Sequence, residues 1–472
     1  MKKILFMFFC LLALLPPTIN YATDIKVDGN LIAFPDAKPF INKENRTLVP
    51  VRFITESIGA QVVWDESTQI VKIQKDNKII VMKSGESQAS IDGIVKKLDT
   101  RILIKDNRCF VPLRFILEET GLKVYWNYNT SSVDLITNST AENHISGLIL
   151  GLSKKGDNKY DYRTLWITQD KGNVDFMERK DSIIMPYKDS FFKIINKKYY
   201  KEYENFATSN NKLSVNYVMS IPVDANANKT DPISSSNGNM LFDEDRAGDQ
   251  YHNSSNVLYA GNTLCCINES YIWTGRQGSG WERYSNKTYS SNSIIDNNKT
   301  INLLSLLDNK TKETIDDYSK KYNKKVRNNG WTYKQSISPN DICLARNKGK
   351  WNLALPVLWQ MIEMNLCNNY QINEYVMLEE EIPSEFNQYN ELGLEWDTIK
   401  EAIPEAVDAV TSPSNDVLIV QTDNELKVFI NPLQGINEPI KTIPCSSNEK
   451  IVLNQWVTGK SDVSKWDNNL RK

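Results

Sequence analysis

Histidine is almost missing from this chain, and its scarcity removes several kinds of chemistry at once. His144 and His252 are the only two in 472 residues. That leaves little for transition-metal sites built on imidazole or for triads that use histidine as base. No Gly-x-Ser-x-Gly elbow is present, so the nucleophile turn of the α/β-hydrolases is absent too. Ser190, Ser209 and Ser447 each begin a Ser-x-x-Lys, but no Ser-Asp-Asn or Lys-Thr-Gly follows, and that pattern is read as chance. Charge of one sign is also missing. The net charge is -2 and the pI about 6.0, so no whole-molecule field draws nucleic acid or anionic lipid, and no nucleic-acid partner is expected.

Long apolar runs are lacking except at the start. Two lysines, the run Ile4 to Leu15, Pro16-Pro17 and a small residue at Ala22 have the layout of a secretory signal over residues 1–22, too short for a comfortable span. Asn20 is not the small residue expected two before the cleavage point, which keeps an uncleaved anchor as the alternative. The expectation is a secreted or cell-envelope protein that meets the membrane only through this segment. Beyond Cys10 there are six cysteines and no Cys-x-x-Cys pair. Structural zinc has little support, whereas an even six in an exported chain allows disulfides with fifteen possible pairings. Cys265 and Cys266 are adjacent in an expected strand, so their side chains should point to opposite faces.

What is present is a doubled sentence. Arg46, Val49, Pro50, Arg52, Phe53, Ile54, Glu56, Gly59, Val62, Trp64, Thr68 and Val71 return 62 positions later as Arg108, Val111, Pro112, Arg114, Phe115, Ile116, Glu118, Gly121, Val124, Trp126, Thr130 and Val133. Proline suits the first turn of a helix and glycine the position just past its end, so Pro50 to Ile58 and Pro112 to Thr120 are expected as short helices. Val51, Ile54 and Ile58, like Leu113, Ile116 and Leu117, fall on one face at helical spacing. Arg52 with Glu56, and Arg114 with Glu118, stand one turn apart and should pair at the surface. Each helix is followed by strand, turn, strand, at Val62 to Ile73 and at Val124 to Leu135. Ahead of the helices, Asp28-Gly29 and Asp92-Gly93 are hairpin turns whose residues tolerate positive φ. The unit is hairpin, short helix, hairpin, used twice.

This doubled Val-Pro-x-Arg-Phe pattern behind a Val-Asp-Gly or Ile-Asp-Gly hairpin resembles the copper amine oxidase N-terminal-like domain, or stalk domain, of secreted Gram-positive proteins. The resemblance covers residues 25–136 and implies a small α+β fold without copper or catalysis. The oxidase's own catalytic domain needs imidazole ligands and an Asn-Tyr-Asp/Glu sequence for its quinone. Here Asn127-Tyr128, Asn216-Tyr217 and Asn369-Tyr370 are followed by Asn129, Val218 and Gln371, so no copper amine oxidase activity is expected.

The organisation read from the sequence is therefore a signal over 1–22, a stalk-like α+β domain over 23–137, a polar linker over 138–146 and a β-rich domain over 147–472. Hairpins are marked at Asp170-Lys171-Gly172-Asn173, Gly261-Asn262 and Asp423-Asn424. Pro222 to Tyr251 reads as a long loop. Glu313 to Val326 reads as a helix, with Ile315, Tyr318, Tyr322 and Val326 on one face, acids opening it and lysines closing it. Leu353 to Leu366 fits either a helix or a strand pair. The fold class expected is mainly β, with an antiparallel C-terminal region carrying a helical insertion. A propeller is one architecture that fits its length, although no blade aligns with another.

Several clusters could form sites, and each also fits a solvated loop or charged surface. Asp243, Glu244, Asp245, Asp249 and His252 could gather oxygen ligands and one imidazole around a cation. Asp224, Asn226 and Asn228 have the alternating spacing of a calcium loop, but Lys229 replaces its glycine and Ser235 its closing glutamate. Glu374 with Glu379 to Glu381, or Glu395 with Asp397, could supply the paired carboxylates of a glycosidase. Lys197 to Tyr203 interleaves lysine with tyrosine, a pattern that grips anionic or sugar polymers or simply ends a strand. Neither a catalytic set nor a cofactor site is complete. The expected function is an exported, non-catalytic protein whose stalk-like module presents a β-rich domain that binds a cell-wall polymer or envelope protein. An envelope hydrolase acting on glycan or peptide and a calcium-stabilised binding module are the alternatives.

Overall fold

The computed structural model describes residues 24–471 apart from 45, 76, 128–131, 138–140, 157–158, 188–189, 204–210, 224–249, 275–279, 293, 295–299, 329, 363–369, 384–385 and 388. Most of it is strand, and the chain divides into two compact units, one ending at Thr137 and the other beginning at Asn138.

In the first unit the two expected helices form at Val51–Ser57 (α1) and Leu113–Glu119 (α2). Pro50 and Pro112 stand one residue before them as extended caps, because each still pairs in a strand: Pro50 lies opposite Phe110 and Pro112 opposite Leu48. Both helices stop identically. Gly59 at φ +71° and Gly121 at φ +78° take the left-handed position. Behind them the Ala60 and Leu122 amides reach back to the Thr55 and Leu117 carbonyls at 2.8 Å, while the glycine amides reach Glu56 and Glu118. This double bond closes the otherwise orphaned carbonyls.

The two copies are interleaved rather than stacked as separate units. Thr47–Pro50 and Arg108–Pro112 pair antiparallel with Val49 opposite Val111, the same position of each repeat. The opening hairpin of the first copy, Ile25–Val27 with Asn30–Leu31, joins the closing hairpin of the second, Ile25 running parallel to Val133. The closing hairpin of the first copy continues through Lys78–Lys83 into Gln88–Ile91 and Ile94–Lys97. Both Asp-Gly turns have positive φ at each residue, as a type I′ hairpin requires. One core results, with Ile54, Val71, Ile73, Ile116, Leu117 and Leu135 all buried. The helical apolar faces sit in it, whereas Arg52–Glu56 and Arg114–Glu118 are exposed and 3.9 Å apart.

The second unit is a succession of four sheets. Its first strand, Ile145–Lys155, lies between Tyr160–Asp170 and the last strand of the chain, Glu449–Thr458, so the sheet closes only when both ends of the unit are in place. Gly147 is required there, since a Cβ would stand 2.1 Å from the buried Trp166 ring. The second sheet has seven strands from Ile183–Tyr187 to Thr300–Ile301. It is antiparallel except where Lys212 to Val215 runs alongside Gln250 to Asn253. Both its faces are packed. Cys265 joins Ile149, Trp166 and Leu453 on one side, and Cys266 joins Leu344, Trp351 and Leu355 on the other, which is the alternation expected of adjacent strand residues. The third sheet has five strands and the fourth, Asp408–Thr411 to Lys441–Pro444, has four. Strand counts of four, seven, five and four differ from the uniform four-stranded blades of a propeller.

All three marked hairpins form, with Asp170 opposite Asn173, Ala260 opposite Cys265 and Gln421 opposite Leu426. One expectation needs correction and one open alternative is decided. The helical insertion is Asn309–Tyr322 (α3), four residues earlier than its pattern suggested. The Asp308 side chain accepts the Thr311 amide at 2.8 Å and caps the start. Val326, counted on the helical face, instead pairs with Tyr333 in the strand Lys324–Asn328. Leu353 to Leu366, open between helix and strands, contains most of the strand Lys350–Met361, paired to Tyr370–Met377. Pro356, which would break a helix, falls opposite the gap between the two strands on the other edge, which pair with residues 350–354 and 357–361. A short helix at Trp396–Ala402 (α4) and a C-terminal one at Lys460–Leu470 (α5) complete the unit. Trp466 of α5 lies against Trp166 and Phe191, while Trp166 Nε1 donates to Asp467 at 2.9 Å.

Candidate functional site

A cleft of about 470 Å³ opens at one end of the first sheet of the second unit. Tyr162 and Arg163 come from one strand and Lys154 from the next. Cys445 and Ser446 come from the turn that leads into the last strand, Glu449 opens that strand, and Glu178, Lys180 and Asp181 complete the rim. At its base the Arg163 guanidinium is engaged through all three of its nitrogens. It grips both Glu449 oxygens at 2.6 and 2.7 Å, donates to the Pro444 carbonyl at 2.8 Å and reaches Glu178 at 3.3 Å. Burial pulls its pKa down, but Glu449 and Glu178 outweigh this and leave it raised. Cys445 is not a poised nucleophile: burial and the neighbouring Glu449 carboxylate, 3.1 Å from Sγ, push its thiol up to about 11, so it is protonated at neutral pH. Burial raises the Tyr162 phenol as well. The rim carries the exposed side chains Asp161, Lys180 and Asp181, which can meet a ligand bearing charges of both signs.

The second arrangement of interest surrounds His144. Read from the sequence as part of a polar linker, this residue is buried in the second unit with Ser412, Ser414 and Asp416. His144 Nδ1 is 3.2 Å from Asp416 Oδ2 and 3.1 Å from Ser414 Oγ. Ser412 and Ser414 both donate to Asp416 Oδ1 at 2.5 Å, and Gln169 adds a bond at 3.1 Å. The three residue types of a hydrolytic triad are therefore together, but not in its order. A triad places serine on Nε2 and aspartate on Nδ1, and here both address the same nitrogen. Burial raises the Asp416 pKa, yet His144, Ser412 and Ser414 outweigh it and hold the carboxyl below the usual range. With Ala141 bonded to Asn431 at 2.7 Å, the cluster fastens residues 141–146 to the fourth sheet.

A third buried group joins sheets. Arg346 of the third sheet holds Asp408 of the fourth through two bonds of 2.6 and 2.9 Å and lies 5.1 Å from the Trp351 ring. Trp351 Nε1 donates to Asn454, in the last strand, at 2.5 Å.

The sequence-derived candidates do not converge on these places. Asp243, Glu244, Asp245 and Asp249, like Asp224, Asn226 and Asn228, lie outside the described residues, and His252 is exposed on the strand Gln250–Ala260. Among the described residues no group of three or more histidine, cysteine, aspartate or glutamate side chains is placed to hold a metal ion. Glu374, Glu379, Glu381, Glu395 and Asp397 are exposed, and Glu380 accepts a bond from Thr314 at 2.8 Å. None of them lines the cleft. Lys197 and Lys198 lie on the long strand Ser190–Tyr203. Five cysteines are free thiols, Cys265, Cys266 and Cys343 being buried, and Cys367 lies outside the described residues. Arg163, Glu449, Arg346, Asp408 and Asp416 were not foreseen because their partners are distant in sequence. The one visible clue was polar Ser412 to Asp416 wedged between apolar strands.

Comparison with known proteins bears on the first unit. Residues 26–135 match the family model of the copper amine oxidase N-terminal domain. No curated protein matches the chain.

Proposed function

We propose that this chain, whose residues 26–135 form a copper amine oxidase N-terminal-like module, is an exported, non-catalytic binding protein of the cell envelope. In this reading the module is a stalk and the β-rich unit meets the ligand. Such domains serve as non-catalytic stalk-type modules in some proteins. The Met1–Ala22 stretch supports export by its charge and apolar layout. The observation that carries the reading is the cleft: an open, charge-lined hollow whose guanidinium is committed to Glu449 and whose thiol stays protonated. A ligand finds complementary charge there rather than a reactive group.

The ligand class proposed is a cell-wall polymer, with an envelope protein as the alternative partner. The test is retention of the purified full chain on insoluble wall polymers, with and without chelator. Retention that survives chelation is the expected result. Complete lack of retention would overturn the reading, and retention or melting temperature that depends on the chelator would move the account to calcium.

A further inference from the structure

We propose that one face of the third sheet is a docking surface for a linear phosphate-bearing polymer. The proposal rests on the binding reading above and adds to it a second surface, distinct from the cleft, and a chemistry. The face follows from strand register. Lys325 stands directly opposite Lys334, which stands opposite Gln360, and beside that row Arg327 lies opposite Thr332. Lys325, Arg327 and Lys334 are all exposed. Residues two apart on a strand share a face about 7 Å apart and opposed residues lie about 5 Å apart. The three cations are therefore gathered within the reach of two or three successive anionic groups.

The alternate positions face inward. Trp359, Ile337 and Val357 pack on the core beneath the sheet together with Ile315, Tyr318 and Tyr322 of α3. The outer face is thus backed by a packed layer. No carboxylate stands in its rows, and none of the three cations makes an ion pair among the described residues. Lysine on an edge strand discourages pairing with stray strands, which accounts for Lys325 and Arg327. It leaves Lys334 unexplained, because that residue sits one strand further in and faces Lys325 directly. Like charges in directly opposed positions destabilise a sheet, so the pair is best understood as serving an anion shared between them. Arginine's planar fork suits phosphate oxygens, with lysine as point charge. The neighbouring Leu358 and Ile362 give an apolar margin, Ile362 being 37% exposed, that fits the carbon skeleton between the charges.

The test is binding of the full chain to fluorescent inorganic polyphosphate over a range of salt. For three cations on a single flexible strand, log affinity should fall with log salt with a slope of about 2. Lys325→Gln/Lys334→Gln should weaken binding at least about tenfold at low salt and cut the slope by about 1.4. A melting temperature no lower than that of the wild type, as removal of an opposed like-charge pair implies, is the check on folding. Lys72→Gln, at an exposed lysine of the first unit, should leave polyphosphate binding as it is. No binding by the wild type overturns the proposal while leaving retention on wall polymers, and so the broader reading, intact. Equal binding by the double variant, or an equal loss in Lys72→Gln, removes the site from this face. Tighter binding to polyglutamate of equal length overturns the phosphate chemistry in favour of an acidic protein partner.

Discussion

The first unit is built from signals a few residues long, whereas the second is held by partners tens to hundreds of residues apart. In the first, a proline, a glycine and an Asp-Gly turn each act on their immediate neighbours. The same helix ends in the same way twice, at Gly59 and Gly121. In the second, Arg163 meets Glu449, His144 meets Asp416 and Arg346 meets Asp408. A repeat can be built from turns and stripes. A closed set of sheets needs residues from both ends of the unit to arrive together.

That contrast can be broken most forcefully at Arg346. Removing one partner of a buried, doubly bonded pair strands the other charge, so Arg346→Ala should cost about 3 to 5 kcal/mol. In urea unfolding of the full chain, monitored by hydrogen exchange, the loss should fall on residues 138–472 and leave residues 24–137 unchanged. A loss shared by both units would remove the distinction. Ile116→Ala is the converse. It empties a fully buried site of the first unit and should cost about 2 to 5 kcal/mol there, with the second unit's transition unmoved.

Asp416 sharpens the comparison through pH. Its folded pKa lies below its ordinary value of 3.8, so its stabilisation is present above that value and is lost as pH falls through the lower folded one. Wild-type melting of the second unit should decline below about pH 4, and Asp416→Asn should flatten that decline while costing about 1 to 3 kcal/mol at neutral pH. An acid limb of unchanged slope in the variant would assign the decline to other groups. The smallest effect belongs to the surface. Arg114→Ala removes an exposed pair worth about 0.3 kcal/mol, and a shift in melting temperature clearly larger than that would mean Arg114 does more than pair with Glu118.

Legibility followed the same division. The helices at Val51 and Leu113, their glycine stops and the Asp-Gly hairpins were all readable, because proline, glycine and side-chain period act locally. What was not readable is how the copies interleave, since pairing Ile25 with Val133 depends on which edge is free once both hairpins exist. In the second unit the hairpins at Lys171-Gly172, Gly261-Asn262 and Asp423-Asn424 were visible for the same local reason. The extent of α3 was misread by counting Val326 on its face, because a strand residue can coincide with a helical period. The cleft was invisible: Arg163 and Glu449 look like ordinary surface residues until the last strand lies beside the first. His144 was hidden similarly, a polar residue in a polar stretch whose partners lie beyond position 410.

In the proposed function, ligand is met by the second unit while the first is scaffold. Hydrogen–deuterium exchange on the full chain, with and without bound wall polymer, tests it most directly. Slowed exchange confined to residues 138–472 is the predicted result, and slowing centred within residues 25–136 would contradict it.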